Sequence, residues 1–280
     1  ALSTLLKTRE RQGWERDTAL LGHRAMTPPL LENACRKMTL MTPVGGHDDS
    51  LGCLWKKQRE VDKREPSATI MNGGHWLICA DGQWPRNTIW EPLVQGATMI
   101  IACDGAYHQC LEYGVTPNAI IGDMDSIGNI DLPEQITRVE KPNQERSDLA
   151  KALAYAEEHS ATNIDVIGIE GGTLGHKIAP LFALYDAPPN TTLYFQNGRM
   201  MCARNGSIEF DSIEIGSRVS LFAIGPAKGV HLEGCDWPLR GEALEPGTRG
   251  LNNTSSQPNV KLTVGNGAVV ICIEPFTKGP

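Results

Sequence analysis

Between residues 76 and 186 one unit recurs along the chain: a short apolar run, a turn holding glycine or carboxylate side chains, then a stretch whose apolar positions return every three or four residues. The pattern predicts strands at W-L-I-C (76–79), M-I-I-A-C (99–103), Ala119 to Ile121 and I-D-V-I-G-I (164–169). It predicts helices over T-I-W-E-P-L-V-Q-G (88–96), Tyr107 to Tyr113, Asp148 to His159 and His176 to Asp186. Strands that are apolar at almost every position need cover on both faces, as in a parallel sheet flanked by helices. In such a sheet a ligand gathers at the carboxyl ends of the strands.

The pattern changes at Ala187-Pro188-Pro189-Asn190, because paired prolines neither continue a helix nor donate to a sheet ladder. Beyond it, T-T-L-Y-F, M-M-C-A, R-V-S-L-F-A-I, G-V-H-L-E-G, N-V-K-L-T-V and A-V-V-I-C-I follow one another with Gly, Asn, Pro and Ser turns and no helical stretch. The expected fold class is therefore α/β, with a Rossmann-like parallel-sheet domain at 74–187 and an all-β sandwich domain at 190–280. Residues 1–73 read as an amino-terminal extension. Charged clusters such as K-T-R-E-R alternate there with short apolar pieces, predicting helical fragments, loops and solvated faces without chemistry of their own.

Composition narrows the partners. A chain of 280 residues, 40% hydrophobic, can bury cores for two domains. The net charge of -7 argues against a protein held to nucleic acid by phosphate contacts and suits a cationic or metal-bound substrate. No apolar run approaches bilayer length and the first residues lack a secretory apolar region, so a soluble cytoplasmic protein without membrane contact is expected. The eight cysteines form no C-x-x-C pair and no zinc-finger spacing, so disulfides are not expected. Cys79, Cys103 and Cys272 fall in apolar strand-like runs, where a reduced thiol packs as a small hydrophobe.

The chemistry concentrates in the turns after the strands. In N-A-I-I-G-D-M-D-S (118–126), Asp123 and Asp125 follow a strand ending at Gly122. Residues two apart in extended backbone face the same way, so both carboxylates can meet one hard cation. Asp-x-Asp also closes ordinary turns by capping backbone amides. Asp104-Gly105-Ala106 either lines the same cleft or caps the next helix. In K-P-N-Q-E-R-S-D (141–148) Ser147 reads as an N-cap and Asp148 as a first-turn carboxylate, so capping competes with metal binding. The same helix start, with Lys151 one turn on, can cradle phosphate oxygens.

I-G-I-E-G-G-T-L-G-H-K (167–177) joins strand to helix as a phosphate loop would, yet fits neither G-x-x-x-x-G-K-[ST] nor G-x-G-x-x-G. His176 is read there either as a structural helix-start residue or as a catalytic one. Among the β segments, Trp237 in C-D-W-P-L is either core or a platform for a flat cationic ring, with Asn252 and Asn253 placed to read that ring's edge.

Taken in order, D-G-A (104–106), P-N-A-I-I-G-D-M-D-S (117–126), Q-x-x-S-D-L-x-K-A-L (144–153), G-G-x-x-x-H (171–176) and S-L-F-x-x-G…G-V-x-L-x-G-x-x-W-P-L (220–239) resemble the thiamine pyrophosphokinase family. The resemblance runs from about residue 76 to 273. It implies an α/β catalytic domain, a β-sandwich domain and a homodimer with thiamine between subunits. The implied reaction moves a pyrophosphoryl group from ATP to the hydroxyl of thiamine. The resemblance implies Mg²⁺ on Asp123, Asp125 and Asp148. It further implies ATP at Asp104, Gly105, Gln144, Ser147, Lys151, Gly171, Gly172, Thr173 and His176, and thiamine at Trp237, Asn252 and Asn253.

The departures are specific. Thr173 and Gly175 stand where the family pattern G-G-R-x-D-H has arginine and aspartate, Asn143-Gln144 stands for Asp-Gln, and Asn252-Asn253 for Ser-Asn. They leave two other expectations in play: a non-catalytic thiamine or nucleotide binder, and a sister pyrophosphokinase acting on another hydroxymethyl heterocycle such as a pterin. The W-P-L element argues against the second.

Overall fold

The computed structural model describes residues 73–127 and 130–275, which fall within one compact unit. The reading of residues 1–73 as helical fragments and loops lies, but for Gly73, outside the described residues. The apolar runs become the strands β1 (His75–Cys79), β2 (Met99–Cys103), β3 (Ala119–Gly122) and β5 (Asn163–Ile167), all paired in parallel. An edge strand, β4 (Thr137–Glu140), adds to β3. The helices are α1 (Asn87–Gly96), α2 (Tyr107–Glu112), α3 (Asp148–Glu158) and α4 (Leu174–Asp186). Ser147 caps α3, its Oγ accepting from the Ala150 amide at 3.3 Å, and Thr173 caps α4 in the same manner.

Backbone pairing carries straight across the expected boundary at 187–190. β6 (Thr191–Phe195), just past the two prolines, pairs in parallel with β5 and then antiparallel with β7 (Gly198–Arg204). The remaining strands are β8 (Ser207–Phe210), β9 (Arg218–Ala223), β10 (Ala227–Glu233), β11 (Leu239–Leu244), β12 (Gly250–Thr254), β13 (Val260–Asn266) and β14 (Ala268–Glu274). One ten-stranded mixed sheet results, in the order β12-β9-β14-β7-β6-β5-β1-β2-β3-β4, together with a four-stranded sheet, β11-β10-β13-β8.

Two hydrophobic cores follow. One joins the parallel strands to the helices through Trp76, Ile78, Ile101, Ile120, Ile164 and Leu184. The other lies between the antiparallel half of the large sheet and the small sheet, through Val219, Leu221, Val269 and Ile271 on one side and Val230, Leu232, Leu262 and Val264 on the other. Six cysteines of the described residues are free thiols, among them Cys79, Cys103 and Cys272, which are buried in strands. Burial raises their pKa, to about 12 for Cys272, so they stay protonated. Among the described residues no helix is long and apolar enough to cross a membrane.

Candidate active site

The chain runs β1 to β4 toward one edge and then returns to lay β5 on the other side of β1. The loops after β1 and β5 therefore diverge and open a crevice at the carboxyl ends, the place where α/β sheets hold ligands. A cleft of about 300 Å³ lies there, lined among others by Asp81, Gly105, Ser126, Ser147, Asp148 and the Gly168–Gly172 loop with His176. Backbone contact is close enough that only glycine fits at two corners. A Cβ on Gly168 would lie 2.1 Å from the Ala80 carbonyl, and one on Gly82 2.4 Å from that of Glu170.

Beside the cleft, one oxygen from each of Asp104, Asp123 and Asp125 lies within 4.8 Å of the others. The convergence of Asp123 and Asp125 arises differently from the expected strand alternation. β3 stops at Gly122, and Met124 takes a left-handed φ of 68°, so the two carboxylates sit on a turn. Asp104 is fully buried, and its two oxygens accept from the Ser126 and Ile127 amides at 3.2 and 3.1 Å. Gly122 makes room for it, since a Cβ there would stand 2.4 Å from the Asp104 Cβ.

Gln144 donates to Asp123 at 2.5 Å. That bond, the Asp125 backbone amide and the Lys151 charge hold the Asp123 carboxyl below its usual range. An all-oxygen set, pre-oriented by amides, suits a hard divalent cation such as Mg²⁺.

Asp148 is not part of that trio. Its carboxylate pairs with Lys151 Nζ at 2.8 Å, and Asp104 takes the third place in the acidic group. Lys151 is itself buried, so its charge needs that partner, and it lies near enough to Asp123 to act on it electrostatically. Asp148 still lines the nucleotide-sized cleft with Ser147. In the glycine loop, Gly172 meets the His176 ring, where a Cβ would fall 2.7 Å from Nδ1. Thr173 Oγ1 accepts from the His176 amide at 3.5 Å. Asp81 is a site residue that the sequence reading missed. Its carboxylate sits where a Cβ on Gly105 would meet it at 2.6 Å. The signal was present, since Ala80-Asp81-Gly82 repeats after β1 the strand-Asp-Gly arrangement that Asp104-Gly105 makes after β2.

Trp237, Asn252 and Asn253 form a second group, on the far edge of the large sheet. Trp237 is 64% exposed in the β10–β11 connection. Asn253 holds it from both sides: its Oδ1 accepts from the Trp237 amide at 3.1 Å and its Nδ2 donates to the Trp237 carbonyl at 2.7 Å. The Asn253 amide is thus spent on positioning the indole, while Asn252, at a bulge with φ 64°, faces an open cleft with Arg218 and Glu274. From β12 to β3 there are eight strand spacings, roughly 38 Å at about 4.8 Å each. The acidic trio and the tryptophan of one chain therefore do not meet.

Residues 90–195 match the family model described as thiamin pyrophosphokinase, catalytic domain. Among solved structures, the thiamine pyrophosphokinase of Bacillus subtilis is similar with a TM-score of 0.61 at 19% identity, covering 72% of this chain and 100% of that one. That of Geobacillus thermodenitrificans gives 0.58 at 18% identity, over 73% and 99%. The yeast thiamin pyrophosphokinase gives 0.55 at 15% identity, over 78% and 93%. A search of curated proteins found no match. At such identities the structures speak for the fold and the family model for the domain. This chain carries a thiamin pyrophosphokinase catalytic domain at residues 90–195, within the fold shared by solved members of that family.

Proposed function

We propose that the protein is a Mg²⁺-dependent thiamine pyrophosphokinase, which converts ATP and thiamine to AMP and thiamine diphosphate as a cytoplasmic homodimer. The observation that carries this reading is the acidic trio of Asp104, Asp123 and Asp125 beside a cleft at the sheet's switch point, inside the matched domain. The Rossmann-like domain supplies the nucleotide site and the β-sandwich domain the thiamine site. In the reaction the thiamine hydroxyl oxygen forms a bond to the β-phosphorus of ATP. The bond from that phosphorus to the α,β-bridging oxygen breaks, AMP leaves with the oxygen, and the hydroxyl proton passes to a carboxylate or to solvent.

Bound Mg²⁺ supplies charge compensation for the phosphate oxygens. The chain's own residues do the positioning. Asp104, Asp123 and Asp125 hold the cation. Asp148, Ser147 and the Gly171-Gly172-Thr173 loop with His176 line the nucleotide, and Gln144 and Lys151 fix the carboxylates that face it. Trp237, oriented by Asn253, stacks on the thiamine ring, with Asn252 at its edge. The gap of roughly 38 Å within one chain, eight strand spacings, supports a site completed by a second copy.

One observation favours a second reading, a thiamine and nucleotide binder that turns over slowly or not at all. Among the described residues no arginine or lysine lines the cleft, and Thr173 stands where the family pattern carries arginine. A guanidinium on phosphoryl oxygens is worth about 10³-fold or more in rate. The deciding experiment incubates the purified protein with MgATP and thiamine and scores AMP and thiamine diphosphate. Equimolar formation of both supports the kinase. Saturable thiamine binding without AMP supports the binder, and AMP formed only with a pterin alcohol would reassign the substrate.

A further inference from the structure

The nucleotide cleft is acidic. Asp81, Asp148 and Glu170 line it, and among the described residues no arginine or lysine does. Lys151, close by, is buried and held by Asp148 at 2.8 Å, so its charge is already answered. Phosphoryl oxygens brought into such a cleft meet the repulsion of its carboxylates. Phosphoryl transfer relies on fixed cationic donors aimed at those oxygens. A cation for this cleft has to come from its rim.

Topology brings two helix starts to that rim. α3 begins in the connection that leaves the carboxyl end of β4, and α4 in the one that leaves β5, with Ser147 and Thr173 as their caps. The two helices pack on each other. A groove of about 550 Å³ between them is continuous with the cleft, since Ser147 and Ala179 line both. Arg146, one residue before the Ser147 cap, lines the end of the groove nearest the cleft. Among the described residues it is the only arginine or lysine lining either space. Its side chain is exposed and forms no ion pair with a described residue, the adjacent Glu145 included.

The loop that carries Arg146 is fixed to the site on both sides. Two residues earlier, Gln144 donates to Asp123 of the acidic trio at 2.5 Å, and the Glu145 amide donates to Asn143 Oδ1 at 2.7 Å, closing a tight turn. One residue later, Ser147 caps α3 and lines the cleft. The guanidinium therefore springs from a point between the trio and the cleft, which phosphates held by both must pass. We propose that Arg146 is a phosphate-binding residue: its guanidinium takes oxygens of the β and γ phosphoryl groups of the nucleotide at the rim shared by cleft and groove. A planar fork of donors suits paired phosphoryl oxygens, and an arginine without an acidic partner gives up no ion pair to reach them. The choice of a nucleoside triphosphate as ligand rests on the proposed function. The free guanidinium beside an acidic cleft does not.

The test measures calorimetric binding and turnover on the full chain. Arg146→Ala is expected to raise the dissociation constant of MgATP about 10-fold or more and to leave that of AMP unchanged. Its melting temperature should stay that of wild type, because the side chain is exposed. With thiamine present its kcat should fall about 10²-fold, at an unchanged KM for thiamine. Lys177→Ala removes another exposed cation, in the first turn of α4 but outside the lining of cleft and groove, and is expected to match wild type. Unchanged MgATP affinity in Arg146→Ala overturns the proposal. So does an equal loss for AMP, which has no β or γ group, or an equal loss in Lys177→Ala, which would make the effect one of overall charge. The binding readout needs no transfer. A protein whose MgATP affinity depends on Arg146 but which forms no AMP would therefore sink the functional reading and leave the contact standing.

Discussion

The two halves of the large sheet answer the same demand for burial in opposite ways. In the parallel half β1, β2, β3 and β5 are closed over on both faces, and the polar residues that line the cleft emerge at strand ends, where backbone amides grip Asp104. In the antiparallel half the four-stranded sheet covers one face, and the residues singled out for recognition, Trp237 and Asn252, stand in solvent on an irregular edge. Carboxylates that must stay within a few ångströms of one another despite their repulsion need an immobile frame. A stacking surface for a substrate gains its burial only when the substrate or another subunit arrives.

The sharpest way to break this contrast is to neutralise the rigid end. Asp123→Asn and Asp125→Asn are each expected to lower kcat by about 10³-fold or more, with melting temperature little changed because Asp125 is exposed and Asp123 only half-buried. Steady-state kinetics on folded protein checks this, and near-normal turnover in either would refute their role. Asp104→Asn is expected to lose activity to the same degree. It should also lose about 1–3 kcal/mol of stability in urea titration, because this buried carboxylate accepts two backbone amides that a carboxamide cannot both satisfy.

Next in size is the frame itself. Gly122→Ala adds a methyl group 2.4 Å from the Asp104 Cβ, so either β3 or Asp104 must move. Overpacking of this kind costs about 1–3 kcal/mol, and the displaced carboxylate should lower kcat by about 10²-fold, since misplacements near 1 Å carry that penalty. A variant with full activity and wild-type stability would show that the acidic trio tolerates slack.

The same contrast explains what could be read from the sequence. Strands of the closed half announce themselves as unbroken apolar runs, and the helix cap Ser147 marks its helix, while the cap Thr173, three residues ahead of the expected helix start at His176, was not read as one. Edge strands give no such signal. β4 reads T-R-V-E, β11 L-R-G-E-A-L and β12 G-L-N-N-T, because one side of each faces water, and none of the three stood out. The motif around Asp123 and Asp125 was legible, but the identity of their third neighbour was not. Asp104 and Asp148 both follow candidate strand or loop ends, and only the burial of Lys151, which engages Asp148, decides between them. The paired prolines marked a change of chain character, while the parallel pairing of β6 with β5 depends on partners distant in sequence.

At the exposed edge the expected effects fall on affinity. Trp237→Ala should raise the KM for thiamine by about 10-fold to 10²-fold, the worth of one lost aromatic stack, with KM for ATP and the melting temperature unchanged. Asn253→Ala should do part of the same by releasing the Trp237 backbone, and should in addition cost about 1–3 kcal/mol for three lost hydrogen bonds, two with Trp237 and one from the Thr254 amide. An Asn253 variant that loses stability while keeping the wild-type KM would separate holding the loop from presenting the indole.

The smallest effect probes the closed half away from the chemistry. Asp165 lies in the middle of β5, and burial pushes its carboxyl above the ordinary carboxylate range, against the pull of His75, whose Nε2 is 2.6 Å away. An acid whose pKa is raised by folding contributes stability that is full below its ordinary pKa and is lost as pH rises through the raised value. Asp165→Asn removes that ionisation while keeping the shape. The melting temperature of the variant relative to wild type should therefore climb as pH rises from the ordinary carboxylate value through the raised one, and level off above it. Turnover should be unaltered, since His75 opens β1 at the end opposite the cleft. A relative melting temperature that falls over the same window would mean that the pairing with His75 outweighs burial, and that the closed half stores a stabilising charge pair at its amino-terminal end as well as the acidic group at its carboxyl end.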